Sequence, residues 1–376
     1  MLNNKQNQIC NFMKTKTTLI LFSISLSFIL FQGCDTKKQA KGEEDEIFVI
    51  ADSADYSEVE GKIKEAFGKV IYTPQPEELF EIKRKRFDEL QKFKMQKNIV
   101  ILASLGTKMP TSNYLESIID EKVKRLIEAD SVFVINKYDL WAANQLVMIL
   151  TAPSIEKLKK QIAEKKDDLF YFFREASNKR MAKGLYNKNF EQKKVEANLL
   201  TKYGWMIYMQ ADYQLALESK EDNFVWLRRG VNSDMERWIF VHWKDSETPE
   251  FLNMDSITAE RNKITEKFYR TTNDSAYVEL YDDYKMQSEV NFNGKYSIMT
   301  QGLWRFNNQS GGGPFINYTF YDEKTRRIYM LDASVFAPKY FKKSILQEVD
   351  VLLHSFKTEN EIEPEVKKDI LESLND

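Results

Sequence analysis

Residues 296–334, "YSIMTQGLWRFNNQSGGGPFINYTFYDEKTRRIYMLDAS", contain the strongest strand pattern of the chain. Three runs rich in aromatic and β-branched residues predict strands at Tyr296–Phe306, Ile316–Tyr321 and Arg327–Ser334. The turn residues between the last two runs predict a hairpin. Apolar residues at helical spacing follow, from about Tyr340 to Phe356. Strands followed by a packing helix predict an α+β sheet with one covered face.

The segments upstream of this stretch are also rich in aromatic residues. Five further strand candidates are Gly204–Met209, Tyr213–Leu217, Phe224–Arg229, Arg237–Trp243 and Gln287–Phe292, with one helix from about Met254 to Arg270. Together they predict that residues 191–356 form an aromatic-rich antiparallel sheet with a closing helix. Residues 357–376 are acidic and are predicted to form a frayed tail.

Residues 46–190 alternate strand and helix patterns, which is typical of an α/β-type region. The candidates are strands at Glu46–Ala51, Asn98–Leu105, Ser131–Asn136 and Gln145–Thr151, and a long helix from about Pro153 to Lys183. The predicted fold class of the whole chain is therefore α+β in two regions. Each region is expected to be a mostly antiparallel or mixed sheet with helices packed on one face.

Residues 1–33 are predicted to be a cleaved signal peptide. Two lysines precede an uncharged apolar run of 15 residues, Thr17–Phe31. This run is shorter than the roughly 20 residues that span a bilayer. The segment from Met13 has the proportions of a complete signal, so Met13 is an alternative start. The run ends in Gly33 and Cys34, which resemble a bacterial lipobox, where the cysteine becomes the lipidated first residue.

Two interpretations of Cys34 are open. One is lipidation, and the other is an ordinary secretory signal or short anchor with an incidental cysteine. We expect lipidation, because an acyl chain on Cys34 would hold the mature protein at a membrane. Residues 34–45 are polar and are predicted to form a flexible tether. Because Cys10 lies in the signal, the mature chain would have one cysteine and no intramolecular disulfide.

The charge of the chain argues against nucleic acid as a partner. Residues 1–33 contain three lysines and no acidic residue, so the 343 residues from Cys34 onward have a formal net charge of −5. Affinity for nucleic acid comes mainly from a basic surface that neutralises phosphates. The presence of only 13 glycines and 8 prolines argues against long disordered or collagen-like tracts.

Several blocks of the chain resemble a known family. They are "DEIFVIAD", "PQPEELFEI", "NIVIL", "DLWAANQLVMILTAPS" and "GLWRFNNQSGGGPFINYTFYDEKTRRIYMLDASVFAPKYFKKSILQEVDVLLHSF". With the N-terminal lipobox, they resemble the Bacteroidetes lipoprotein family catalogued as domain of unknown function 4837. The resemblance extends from about Glu46 to Phe356 and implies export, lipidation and one shared architecture. The family has no established activity and implies no catalytic residues.

No group of residues forms a recognisable catalytic motif, and we predict no catalytic residue. His242 lies in a predicted strand and His354 near the end of the last helix, without metal-ligand spacing around either. We interpret both as structural or surface residues. The strand aromatics, among them Trp226 and Trp238, are expected in the core, with an exposed binding face as the alternative.

The single glycine cluster of the sequence is Gly311, Gly312 and Gly313, between Trp304 and the predicted strand at Ile316. A phosphate cradle needs glycines before a helix N-terminus, whereas here a proline and a strand follow. We interpret the cluster as a flexible loop. The functional alternative is a contact loop formed by these glycines together with Trp304.

These observations predict a non-enzymatic envelope lipoprotein, anchored in the membrane at Cys34 and acting as a binding or scaffold module. The expected location is the outer membrane, and the expected partner is an envelope protein or a glycan. The alternative is an envelope hydrolase, directed at glycans or esters, with two carboxyl groups about 5–9.5 Å apart. No cofactor or metal is expected for either function.

Overall fold

The computed structural model describes residues 37–71, 73 and 76–375. The predicted signal peptide and Cys34 lie outside these residues, so both stay predictions. Within the described residues, the chain folds into an N-terminal and a C-terminal region, each built around its own sheet. No helix in this part of the chain is long and apolar enough to cross a membrane.

Five strands form the N-terminal sheet. They are β1 (Glu46–Ala51), β4 (Glu81–Lys85), β5 (Asn98–Ser104), β6 (Val134–Tyr138) and β7 (Leu146–Ala152), while β2 (Val70–Ile71) and β3 (Glu77–Glu78) pair separately. The spatial order is β4–β1–β5–β7–β6, and every pair is parallel except β6 with β7. β5 and β7 are buried at every residue, as expected for parallel strands covered on both faces.

Helices cover both faces of this sheet. One face packs against α1 (Ser53–Phe67), α5 (Ile155–Glu164) and α6 (Lys166–Leu185), and the other against α2 (Leu90–Phe93), α3 (Pro110–Ile118) and α4 (Glu121–Glu128). The α+β class in two regions is confirmed, but helices lie on both faces of this sheet and not on one. The reason is the parallel pairing, because each parallel connection needs a crossover that passes over a face of the sheet.

Seven antiparallel strands form the C-terminal sheet. They are β9 (Tyr213–Ser219), β10 (Phe224–Arg229), β11 (Glu236–Asp245), β12 (Val278–Phe292), β13 (Lys295–Phe306), β14 (Gly312–Asp322) and β15 (Arg327–Phe336). Their order is β12–β13–β14–β15–β11–β10–β9, so the three strands predicted in residues 296–334 are neighbours. A small ladder pairs β8 (Trp205–Met206) with β16 (Lys357–Thr358).

Both faces of the C-terminal sheet are covered as well. On one face, α9 (Lys343–Leu353) packs against residues such as Ile316 and Leu331. On the other face, α8 (Met254–Phe268) packs against an aromatic cluster that includes Trp304. The closing helix predicted after the strands is therefore α9, and the sheet has a second helix on its opposite face.

Residues 357–375 are folded. α7 (Lys193–Tyr203) and α10 (Pro364–Glu372) share a small apolar cluster that contains Ile362 and Ile370. Both isoleucines are at most 7% exposed. Residues 357–375 thus form a strand and a helix in place of the expected frayed tail, because their apolar residues have a partner surface.

A buried ion pair attaches α8 to the sheet. Arg261 and Asp332 have fully buried side chains, and the arginine Nε donates to Asp332 Oδ2 over 2.7 Å. Asn317 and Ser334 donate to the same carboxylate over 3.2 and 3.0 Å. The guanidinium lies 3.8 Å from the centre of the Phe315 ring. These contacts fix α8 on the sheet, since an unpaired charge at this depth would be strongly destabilising.

Residues 37–45 lie against the N-terminal region. Backbone bridges join Gln39 to Ala143 and Lys41 to Gln96. Most of the predicted tether, residues 34–45, is therefore part of the folded body. Lys37, the first described residue, already contacts the body and is three residues after Cys34.

Candidate functional site: the cleft between the two regions

The two regions meet where α6 packs against α9 and β14. Arg174 of α6 donates through Nη2 to Asp350 Oδ2 of α9 over 2.8 Å. The Tyr318 hydroxyl of β14 donates to Asp350 Oδ1 over 2.7 Å. Asp350 is buried, whereas 31% of the Arg174 side chain is exposed. These contacts join the two regions at the floor of a cleft.

The cleft has a volume of about 870 Å³. One wall is α6 and the other is the β12–β13 hairpin, while β14 and α9 form the floor. Its aromatic and amide lining residues are Phe170, Tyr171, Tyr186, Tyr318, His354, Asn178, Asn291 and Asn293. The volume lies in the range of sites that bind small molecules.

A tight turn positions the hairpin wall. Asn293 and Gly294, between β12 and β13, have φ values of 51° and 87°. A two-residue turn with both φ values positive matches the twist of the flanking strands and favours the sequence Asn-Gly. The turn brings Asn293 to His354, where Asn293 Nδ2 donates to the histidine carbonyl over 2.9 Å.

Asp350 is ionised at neutral pH. Burial alone would raise the pKa of Asp350, but Arg174, His354 and the Tyr318 hydroxyl together outweigh burial and lower it below 3.8. Burial, followed by the charge of Asp350, raises the pKa of Tyr318 well above 10. Tyr318 therefore keeps the proton that it donates to the carboxylate.

His354 lines the cleft as a neutral ring. Burial lowers the pKa of His354 below 6.5, and the attraction of Asp350 offsets only part of this shift. Since Asn293 donates through its amide nitrogen, its Oδ1 accepts from His354 Nδ1 over 3.0 Å and fixes the tautomer. Nε2 faces Asp350 Oδ1 at 3.7 Å, and the ring stacks on Phe292 at 4.5 Å. Both nitrogens face protein groups, which suits a lining role better than proton transfer to a ligand.

The other charges of the cleft are paired within the protein. Glu175 lies 2.8 Å from Lys179, and Asp167 lies 2.5 Å from Lys69. Tyr186 donates to a backbone carbonyl of α9 over 2.6 Å, and burial raises the pKa of its hydroxyl to about 12. Among the described residues, none that lines the cleft is Ser, Thr or Cys. Beside these paired charges, the cleft presents aromatic rings and neutral amides to a ligand.

The predicted contact loop lies at a separate pocket of about 420 Å³. Gly311, Gly312 and Gly313 line this pocket together with Trp304. Gly312 and Gly313 already belong to β14, so the loop that connects the strands is only residues 307–311. Trp304 is 1% exposed, and its indole belongs to the core. The structure brings the four residues together, and a partner for them stays a prediction.

Gly313 is required by the close approach of two strands. A Cβ atom at this position would lie 1.9 Å from the carbonyl oxygen of Val335 on β15. We expect Gly313→Ala to lower the free energy of unfolding by about 1–3 kcal/mol, because the backbone must move to admit the methyl group. The control is Gly61→Ala in α1, where a Cβ meets nothing within 4 Å. Equal urea midpoints for the two variants would contradict this interpretation.

Most aromatic residues of the strands lie in the core, as expected. Five of them are at most 8% exposed: Trp238, Trp243, Trp304, Tyr318 and Tyr329. Among the described residues, the most exposed aromatic side chains are Phe341, Phe190 and Tyr171, none of which lies in a strand. The alternative of an aromatic binding face on the strands is therefore not favoured.

His242 does not line the cleft and is 5% exposed. Its Nδ1 lies 3.1 Å from the carbonyl oxygens of Asp222 and Asn223. Its Nε2 lies 3.4 Å from Glu260 Oε1, and this contact lowers the pKa of Glu260 to about 2. Within residues 37–71, 73 and 76–375, no three His, Cys, Asp or Glu side chains are arranged to hold a metal ion.

Sequence reasoning missed the cleft as a site. Arg174 and Asp350 are 176 residues apart, and neither stands in a motif. One signal was present, because Asp350 lies between Val349 and Val351 and is followed by two leucines in α9. A charged residue at such a position predicts a buried partner. The sequence does not show that the partner is Arg174 of the other region.

The fold and the site define a two-region α+β protein whose regions together form one large cleft. Residues 191–355 match the family model described as "Domain of unknown function (DUF4837)". Residues 40–186 match a second model, "Domain of unknown function (DUF8532)". The resemblance to domain 4837 is thus confirmed for the C-terminal region, and the N-terminal region matches a different family. Arg174 lies in one match and Asp350 in the other, so the cleft needs both domains.

A solved structure is similar to part of the chain. It is a crystal structure at 1.50 Å resolution of a protein from Bacteroides thetaiotaomicron VPI-5482, with 7% sequence identity and a TM-score of 0.23. The alignment covers 41% of this chain and 45% of that chain, which is less than half of either. No curated protein matches the chain.

Proposed function

We propose that the protein is a lipid-anchored envelope protein that binds a neutral glycan in the cleft between its two regions. The cleft is the observation that most supports binding, because its charges are paired and it offers aromatic rings and amides. Sugar rings pack their C–H faces on aromatic rings, and their hydroxyl groups exchange hydrogen bonds with amides, which donate and accept. The apolar N-terminal run that ends at Cys34 supports export and the anchor.

The alternative function, an envelope hydrolase, gains no support from the cleft. A carboxylate-dependent glycosidase needs one carboxyl group with a raised pKa as its general acid. The pKa of Asp350, the buried carboxyl group of the cleft, is lowered instead. A carboxyl group with a raised pKa does exist, Glu196, but it is fully buried and does not line the cleft. The structure therefore favours binding over hydrolysis.

Glycan binding is tested with chitotetraose and maltotetraose as probes, by saturation-transfer NMR and calorimetry. We expect Tyr171→Ala to weaken binding roughly three- to tenfold, the loss of one aromatic contact. Tyr296→Ala is the matched control, because Tyr171 and Tyr296 are 59% and 55% exposed but only Tyr171 lines the cleft. Equal affinities of the two variants, or no saturable binding of either probe, would count against the proposal.

The anchor is tested separately, by intact-mass analysis of protein extracted from membranes. We expect a chain that begins at Cys34 and bears acyl groups. Cys34→Ala should leave the precursor uncleaved or release the protein from the membrane. A soluble, unmodified mature chain would overturn the anchor without affecting the test of the cleft. Separation of inner and outer membranes on a density gradient tests the expected location.

A further inference from the structure

Six lysines lie at the end of the N-terminal sheet where the described chain begins. This exit face consists of Lys37, Lys38, Lys41, Lys94, Lys137 and Lys183. All are exposed except the half-buried Lys94. The backbone and side-chain contacts of these residues bring them together although they are distant in sequence.

The first three lysines belong to the segment that enters the body. Ala143 N donates to the Lys38 carbonyl over 2.9 Å, and Lys41 forms its bridge to the strand entry at Gln96. The Lys37 ammonium donates to the carbonyl of Asp139, in the turn that follows β6. The segment is therefore held across the end of the sheet.

The other three lysines surround the same turn. Lys137 is the penultimate residue of β6, directly before the turn. The Lys94 carbonyl accepts from Gln145 Nε2 over 2.7 Å. Lys183, in the last turn of α6, donates through Nζ to Asn144 Oδ1 over 2.6 Å. All six lysines therefore lie around the turn that joins β6 to β7.

The exit face has a positive charge that the protein does not neutralise. Within the described part of the chain, the nearby Glu44 pairs with Lys97 and Arg180, and no carboxylate pairs with any of the six lysines. Asp45 and Glu46, at the start of β1, pair with Lys343 and Lys83. Glu43 and Asp139 then leave the six lysines in clear excess. This excess contrasts with the net charge of −5 of the chain from Cys34 onward.

We propose that the exit face lies directly on an anionic membrane surface. The inference rests on the proposed anchor at Cys34, from which Lys37 is three residues away, a span of at most about 10 Å. Lysines this close to a membrane lie within the Debye length of about 10 Å at 0.1 M salt, where anionic lipids attract them. Tyr138, at the same end and 56% exposed, has the amphipathic ring that favours the membrane interface.

The test places the full protein, extracted from membranes, on phosphatidylcholine vesicles with or without phosphatidylglycerol. Acetylation of each lysine is then followed by mass spectrometry. We expect the exit-face lysines to react roughly fivefold more slowly on the anionic vesicles, a difference that high salt removes. Lys220, Lys324 and Lys357, which are exposed on the C-terminal region, should react equally on both kinds of vesicle.

Two matched variants test whether the position of the charge matters. Changing Lys38, Lys41 and Lys137 to glutamine should abolish the protection of the remaining exit-face lysines. The same change at Lys220, Lys324 and Lys357 removes an equal charge and should leave the protection intact. Equal labelling on both vesicles, or equal effects of the two triple variants, would overturn the proposal. Failure of the proposed anchor can be told apart from failure of this proposal. Without an anchor the protein leaves the uncharged vesicles, while protection of the exit-face lysines on the anionic vesicles still tests the proposal.

Discussion

Asp350→Asn is expected to lower the free energy of unfolding by about 3 kcal/mol at neutral pH. Asparagine keeps an oxygen that accepts from Tyr318, but it removes the charge that neutralises Arg174. This loss is at the low end of what removal of one partner from a buried ion pair costs, because 31% of the Arg174 side chain is exposed and water screens part of its charge. Urea unfolding followed by tryptophan fluorescence measures the change.

The effect of Asp350→Asn should also depend on pH. The pKa of Asp350 is lowered below 3.8 in the folded state, so the ionised carboxylate stabilises the fold above that pH. The contribution is lost as the pH falls through the folded pKa, because Asp350 then becomes protonated. The gap between wild type and variant should therefore shrink below about pH 4. A gap that stays constant in acid would contradict a charge-based cause.

The control for this prediction removes both charges. In the double variant Arg174→Met with Asp350→Leu, no unpaired charge remains at the contact. We expect this variant to lose less stability than the sum of the two single changes, because each single change leaves one charge without its partner. Additive losses would show that Arg174 and Asp350 do not interact across the two regions.

Local pattern was sufficient to predict the strands of the C-terminal sheet. The predicted strands at Tyr296–Phe306 and Arg327–Ser334 correspond to β13 and β15, which begin and end within two residues of the prediction. Both have aromatic and β-branched residues bounded by turn residues, and such signals depend on neighbours in sequence. β14 begins at Gly312, earlier than predicted, because the close approach of Val335 favours glycine inside the strand.

The features that sequence reasoning missed depend on contacts between distant residues. The helices on both faces of the N-terminal sheet follow from the parallel pairing of β1 with β4 and β5, which a strand pattern does not reveal. The polar composition of residues 34–45 predicts a tether, since the backbone bridges of Gln39 and Lys41 leave no apolar signal. The cleft depends on Arg174 and Asp350, which come from different domains.

Glu196→Gln is expected to stabilise the protein by about 3 kcal/mol at pH 7. Glu196 lies in the first turn of α7 with 0% exposure, and its Oε1 accepts from the Met209 amide over 2.7 Å. Burial is the main cause that raises the pKa of Glu196 to about 8, and the neighbouring Glu191 raises it further. Glutamine keeps the acceptor oxygen and has no carboxyl proton to lose.

The stability of the wild type depends on pH because the folded and unfolded states bind the Glu196 proton with different affinity. Glu196 has its ordinary pKa of 4.5 in the unfolded chain, so between that pH and about 8 the unfolded state releases a proton that the folded state keeps. The stability that this proton contributes is fully present below pH 4.5 and is lost as the pH rises, by about 1.36 kcal/mol per unit. The gain of the glutamine variant over wild type should therefore grow to about 5 kcal/mol above the folded pKa.

Urea unfolding of wild type and Glu196→Gln at a series of pH values from about 5 to 9 measures this gain. Glu266→Gln is the matched control, because Glu266 is an exposed glutamate in a helix, and its curve should run parallel to that of wild type. A parallel curve for Glu196→Gln as well would mean that Glu196 ionises in the folded protein as it does in water. If the wild-type and Glu196→Gln curves diverge as expected, the difference between them measures the free-energy cost of keeping Glu196 protonated in the folded protein. The packing of α7 against β8 offsets that cost.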